Sequence, residues 1–388
     1  MARDYSADIA DPLAQEIVNN VGVWVDREVK PVASEFEHAD EFPEPLLKGM
    51  SNMGLFGIKI PEAYGGLDLS FECYAGVCME LARGWMSLAG IINTHVLVGY
   101  AISEYGTEAQ KQKYLPKLVE PEIRCALTIT EPDAGSDAQA IKTTAKRDGD
   151  DYIINGQKIW TSGAHLADWI HLLARTDPDA PKHRGISYFM INLRSPGITI
   201  RPLIQLTGVH GFNEVFFDDV RVPRRNMISE ENRGWYAATT TLDFERSGIE
   251  RNLVAQRDWR RLYEFAASNR AALVNRPATW RHRMADLRIE VEVGQWIARR
   301  VAWMQGRGLV PNYESSMSKT YNSEVGQRLA EFGVSLLGLP GQLREPEREP
   351  GQTIAFRYLD ARRLTVGQGT SEINRNVIAT RGLGLPRG

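Results

Sequence analysis

Three short polar motifs, far apart in a chain of 388 residues, carry side chains suited to chemistry. Thr130-Glu131-Pro132-Asp133-Ala134-Gly135-Ser136-Asp137 follows the apolar run Ala126-Leu127-Thr128-Ile129. A strand running into a Gly/Ser/Asp turn offers backbone N–H groups and hydroxyls to a flat polar ligand, although a plain strand-ending turn has the same composition. Trp160-Thr161-Ser162 sets an aromatic face beside hydroxyls, a combination that stacks on a flat ring and hydrogen-bonds its edge. Gly367-Gln368-Gly369-Thr370-Ser371-Glu372-Ile373 precedes a helix, and Gly369-Thr370 at a helix N-terminus suits an anion or a carbonyl oxygen.

A fourth segment offers a base. In Leu242-Asp243-Phe244-Glu245-Arg246, helical spacing places Glu245 on the apolar face of Leu242 and Ile249, with Gly248 leaving room for a ligand. Thr241, Leu242, Gly248 and Ile249 occupy the positions three and four residues away, so its own helix supplies no cation there. Desolvation on that face would raise its pKa from about 4.3 towards neutrality, as a general base requires. The alternative is a glutamate paired with an arginine from another element. Asp243, Arg246 and Glu250 read as a solvated charge ladder, and His95 reads as a satisfied core histidine.

The surrounding texture changes twice. Asp11-Pro12 and Thr107-Glu108-Ala109-Gln110 are helix-start signals in a helical segment reaching about Glu122. Short β-prone runs follow, punctuated by Asp148-Gly149-Asp150 and Asn155-Gly156, both of which read as hairpin turns. Beyond Gly234, long helices are predicted over about 235–268, 280–305 and 313–337, with a last one from near Thr370; short connections favour a bundle. No Gly-x-Gly-x-x-Gly follows a strand, so a nicotinamide-type fold is not expected.

With 46 basic and 49 acidic residues the formal charge is -3, which excludes a basic nucleic-acid binder as the default. Cys73, Cys78 and Cys125 have no metal-ligand spacing and form no disulfide framework, so no metal is expected and a reducing compartment, the cytoplasm, is. Residues 1–14 contain three aspartates and no apolar core, unlike a signal peptide. The apolar stretch 87–102 is broken by Asn93, Thr94 and His95 and is shorter than the roughly 20 residues of a membrane span. A soluble protein with no membrane span is expected.

Taken together, the motifs resemble the acyl-CoA dehydrogenase family, flavoenzymes that desaturate acyl-CoA thioesters. Tyr64-Gly65-Gly66, Phe217-Asp218-Asp219-Val220-Arg221-Val222-Pro223 and Gly382-Leu383-Gly384-Leu385-Pro386-Arg387 extend the resemblance over nearly the whole chain. It implies a mainly α fold with a central β domain: an N-terminal helical domain (1–123), an antiparallel β domain (124–233) and a C-terminal four-helix bundle (234–388). It implies FAD, with Leu127, Ile129, Thr130, Trp160, Ser162, Thr370 and Glu372 contacting the cofactor and Arg281 reaching the pyrophosphate of a neighbouring subunit. Ser136 would be shared between flavin and the CoA arm, and Asp243 and Arg246 would lie near the acyl-CoA, as would Gln368 and Gly369.

Many family members place a glutamate base just before Gly-Thr in the C-terminal motif. Here that residue is Gln368, an amide that cannot act as a base, although its backbone N–H could hold the thioester carbonyl. The family's other location for the base, on the first long helix of the C-terminal part, matches Glu245. The Gln-x-x-Gly-Gly motif that contacts the adenine is replaced by Ser335-Leu336-Leu337-Gly338-Leu339-Pro340-Gly341, similar to bacterial subgroups acting on bulky substrates such as steroid side chains. The implied function is FAD-dependent α,β-dehydrogenation of a branched or bulky acyl-CoA to the 2-enoyl-CoA, as in β-oxidation. Electrons would pass to an electron-transfer flavoprotein, in a homotetramer or heterotetramer. The competing readings are a non-dehydrogenating flavoenzyme of the same fold (oxidase, monooxygenase or acyl-CoA lyase) and a catalytically silent subunit.

Overall fold

Asp11 opens the first helix as its sequence predicts: the side chain accepts from Leu13 N, and Pro12 takes the first helical position. The computed structural model describes residues 11–39, 41–245, 249–270, 273, 279–307, 309–343 and 354–386. Its helical N-terminal part runs α1 (Pro12–Trp24), α2 (Ala33–Ala39), α3 (Glu44–Asn52), α4 (Phe71–Gly84), α5 (Met86–Tyr105) and α6 (Glu108–Val119). Thr107 and Gln110 form the predicted reciprocal capping box at α6.

The apolar stretch around residue 95 is longer than expected. At 20 residues, α5 is long and apolar enough to cross a membrane by length and composition. The polar triplet does not interrupt it: the helix runs through residues 93–95, and the buried His95 ring is satisfied by donating from Nε2 to Leu118 O at 2.6 Å. With 61% of its apolar window buried within the protein, α5 is a core helix.

The middle of the chain forms an eight-stranded sheet among the described residues, from β1 (Cys125–Thr128), β2 (Thr144–Asp148), β3 (Asp151–Ser162), β4 (Trp169–Arg175), β5 (Ile186–Asn192), β6 (Ile198–Ile204), β7 (His210–Pro223) and β8 (Met227–Ile228). The strand order is β6-β7-β3-β2-β4-β5-β8, with β1 paired to β4. Most pairs are antiparallel. The β1–β4 and β2–β4 pairs are parallel; β2 and β4 run the same way because the chain returns through the antiparallel β3 between them. One face packs Tyr152, Ile154, Phe189, Val215 and Phe217; the other carries Leu173, Tyr188 and Met190.

Gly149 makes the predicted β2–β3 turn with φ 63°. Asn155-Gly156 does not turn the chain; it lies inside β3. The reason is distant in sequence. Asp219 sits with φ 47° in a bulge of β7, where two residues, Asp218 and Asp219, fall between the partners of Ile154 and Gly156. The Asn155 side chain spans the gap, donating from Nδ2 to Asp219 Oδ1 and accepting from Asp219 N, each at 2.9 Å. A second bulge, now on β3 between Lys158 and Thr161, restores the original register.

The C-terminal part comprises α7 (Gly234–Glu245), α8 (Ile249–Ser268), α9 (Thr279–Gly306), α10 (Tyr313–Leu337), α11 (Ile354–Asp360) and α12 (Ser371–Val377). The charged loop predicted over 344–350 lies outside the described residues. By internal contacts the chain forms two units: Met1–Pro43, Ser70–Ala89 and Arg246–Gly388; and Glu44–Leu69 with Gly90–Glu245. In the first, α8, α9 and α10 close on a buried amide network. Asn252 donates to Val291 O at 2.9 Å and to Asn322 Oδ1 at 3.0 Å, and Asn322 donates to Gly294 O at 3.2 Å. A Cβ on Gly294 would stand 2.2 Å from Asn322 Oδ1, so glycine sets that helix approach.

In the second unit, α7 starts hard against β5. A Cβ on Gly234 would lie 2.3 Å from Tyr188 N and 2.4 Å from Ser187 C. The preceding loop is tied down by Ser187 Oγ, which accepts from Asn232 N at 2.8 Å.

Candidate active site

The strand bearing Leu127 and the hairpin bearing Trp160 are joined through their neighbours. Thr128 and Thr161 are buried, and their hydroxyls hydrogen-bond at 2.8 Å. Ile159 N donates to Thr130 O at 2.9 Å. Leu127, Ile129 and Thr130 are half-buried at the end of this strand, and Ser162 is exposed at the end of β3.

Trp160 occupies the β3 bulge with φ 61°, an unusual value for a bulky residue. Strand alternation would otherwise point it inward; the extra residue turns Thr161 inward and leaves Trp160 53% exposed. Its ring meets Phe212 edge-on at 5.8 Å. One element pair thus brings together Leu127, Ile129, Thr130, Trp160 and Ser162. An exposed aromatic face beside strand-end hydroxyls fits a planar heterocycle such as flavin. Ser136 lies exposed in the turn beyond β1, where Glu131 and Ala134 exchange backbone hydrogen bonds.

Behind this strand lies an ion pair that motif reading missed. Lys158 is 0% exposed; its Nζ donates to Ile129 O at 3.0 Å and to Glu131 Oε1 at 2.8 Å. Glu131 also accepts from the peptide N–H groups of Lys142 and Thr143. Burial pushes the Lys158 pKa down to about 8 against the pull of Glu131. Burial would raise the Glu131 carboxyl, but the Lys158 ammonium and the peptide donors outweigh it and hold the group below its usual value. The available signal was a lysine at an inward position of an alternating strand, which demands a buried carboxylate.

In the other unit, Gln368 and Gly369 have φ 58° and 83°. The Gly369 carbonyl accepts from buried Lys319 Nζ at 2.5 Å and from Asn374 Nδ2 at 2.9 Å. Because a trans peptide points its C=O and N–H in opposite directions, the Thr370 N–H faces away from that pair. Thr370 caps α12, its hydroxyl accepting from Ile373 N at 3.2 Å. The Glu372 carboxyl is held below its usual value by its own backbone N–H and the Thr370 hydroxyl. Arg281, in the first turn of α9, is exposed with its guanidinium 4.8 Å from the Trp280 ring centroid.

Asp243 and Glu245 belong to the last turn of α7. Their side chains, and Arg246 altogether, lie outside the described residues. His95 is confirmed as a core residue: burial pushes its pKa down to about 4, and its Nε2 is engaged by Leu118 O. Among the described residues, no group of three His, Cys, Asp or Glu side chains could hold a metal ion.

Comparison with known proteins finds one family along the chain. Three family models match in order: acyl-CoA dehydrogenase N-terminal domain over 12–122, middle domain over 126–220 and C-terminal domain over 232–383. The acyl-CoA dehydrogenase IpdE1 of Mycobacterium tuberculosis is 35% identical over 339 residues, covering 86% of each chain. The crystal structure of an acyl-CoA dehydrogenase from Geobacillus kaustophilus superposes with a TM-score of 0.87 at 33% identity, over 97% of this chain and 100% of that one. The Tcur3481-Tcur3483 steroid ACAD gives a TM-score of 0.84 at 29% identity, over 98% and 99%. The expected order of helical, β-sheet and helical parts, the two strand-end motifs and these matches lead to one assignment: the chain belongs to the acyl-CoA dehydrogenase family of FAD-dependent oxidoreductases.

Proposed function

We propose that the substrate is an acyl-CoA with a branched or bulky acyl group, that Glu245 removes its α-proton, and that electrons leave through an electron-transfer flavoprotein in the cytoplasm. The observation that carries this reading is the exposed Trp160 on its bulge, locked through Thr161 and Thr128 to the strand of Leu127, Ile129 and Thr130. FAD supplies the acceptor for the β-hydride. Leu127, Ile129, Thr130, Trp160, Ser162, Thr370 and Glu372 would hold it, and Arg281 would reach the FAD pyrophosphate of a neighbouring subunit.

The chain's own residues do the rest. Gln368 has no basic group, so the proton falls to Glu245 at the end of α7, whose start Gly234 fixes against β5. Gln368 and Gly369, in left-handed conformations braced by Lys319 and Asn374, turn the backbone so that N–H groups can polarise the thioester carbonyl and acidify the α-carbon. Ser136 and the Asp243–Arg246 segment would contact the CoA thioester. The steroid in the name of one structural relative supports a bulky acyl group, and the two proteins in that name support assembly with a second, non-identical chain.

Anaerobic addition of a panel of acyl-CoAs to the purified holoprotein tests this reading. Bleaching of the flavin band by branched or steroid-like thioesters in wild type, with a loss of about 10²–10⁴-fold in rate for Glu245→Gln, supports it. Undiminished bleaching in Glu245→Gln, or a response confined to straight short chains, overturns it.

A further inference from the structure

Asn213, on β7, is wholly buried, and its amide addresses three groups at once. Nδ2 donates to Thr161 O at 3.1 Å and lies 3.1 Å from His165 Nδ1, while Oδ1 lies 2.9 Å from His210 Nε2. A backbone carbonyl only accepts, so the NH₂ end must face Thr161 and the amide cannot be flipped. His210 therefore carries a proton on Nε2. The second Nδ2 hydrogen faces His165, so His165 Nδ1 is an acceptor and its neutral ring is protonated on Nε2. The two imidazoles stack with centroids 4.1 Å apart and planes 23° apart.

We propose that Asn213 is a positioning residue for the flavin: acting through Thr161 O, and oriented by His165 and His210, it holds the bulge that presents Trp160. A bulky residue with positive φ persists only where its surroundings hold it there. Thr161, the next residue, is held by its hydroxyl to Thr128 and by its carbonyl to Asn213. Phe212, next to Asn213 on β7, meets the Trp160 ring itself. One stretch of β7 thus sets both the backbone and the ring of the bulge. The inference rests on the reading above that Trp160 lies against the flavin.

The test combines tautomer, affinity and spectrum. In ¹⁵N-histidine-labelled wild-type apoprotein, with the His165 signals assigned by their loss in His165→Gln, Nδ1 should be unprotonated and Nε2 protonated; a protonated Nδ1 overturns the inference. By calorimetry with FAD, Asn213→Ala should bind about tenfold more weakly, the scale of one lost buried hydrogen bond, with an altered flavin absorption band. Unchanged affinity and band in folded Asn213→Ala overturn it. Should that variant fail to fold, His165→Ala at the exposed ring takes its place, with affinity expected to fall about threefold and no change overturning the proposal. Trp160→Ala separates the two levels. If it leaves FAD affinity and spectrum unaltered, the placement of flavin at Trp160 fails and this inference with it; if it alters both while the Asn213 variant alters neither, only the Asn213 role fails.

Discussion

The hydroxyls of Thr128 and Thr161, 33 residues apart in sequence, meet at 2.8 Å beneath the surface that carries Trp160. Each replaces water for the other, so removing one leaves its partner buried and unpaired. Thr128→Val or Thr161→Val alone should cost about 1–3 kcal/mol in urea unfolding, and the double variant less than the sum. Strict additivity would mean that the hydroxyls do not depend on one another.

Gly234 controls the start of the helix that ends in Glu245. A methyl group there meets the backbone of Ser187 and Tyr188. Gly234→Ala should destabilise the protein by about 2–3 kcal/mol and lower turnover in whatever remains folded. Equal stability and turnover would show that β5 yields to the added methyl.

Lys319 is buried beneath the Gln368–Gly369 turn and braces its carbonyl. Lys319→Met should lower stability by about 2 kcal/mol and weaken flavin retention on gel filtration. Lower stability with full flavin retention would confine Lys319 to folding.

Acid should weaken the fold through buried histidines. The pKa of His95 in the folded chain is about 4, against 6.5 for an ordinary histidine, and burial pushes His171 down to about 3. Between those values the unfolded chain binds protons that the folded chain does not. The histidine contribution is therefore complete above about pH 6.5 and declines as pH falls towards 4 and 3. The urea midpoint should drop from neutral pH to about pH 5, and less so in His95→Gln, whose amide can still donate to Leu118 O. An identical drop in that variant would remove His95 from the account.

What could be read from sequence was local. The Thr107 capping box and the helix Tyr313–Leu337 depend on residues a turn apart, and both appear where predicted. Trp160 beside hydroxyls was visible as a residue pattern, but the bulge that exposes it was not. Asn155-Gly156 looked like a turn because its true partner, Asp219, is 64 residues away. Lys158–Glu131 and the Asn213 amide are likewise long-range devices, made when strands distant in sequence come into register. Motif spacing cannot encode such register.

The two bulges in the β3–β7 ladder behave like a frameshift and its suppressor. Asp219 adds a residue to one strand, Trp160 adds one to the other, and the pairing before the first matches the pairing after the second. Deleting either extra residue alone would leave every pair beyond it out of phase, carrying side chains such as Thr161 from the inner face to the outer one. The outward pose of Trp160 is therefore secured by the number of residues in both strands. Outward-facing side chains along this ladder can be exchanged without moving that register, whereas a change of length on one strand needs a matching change on the other.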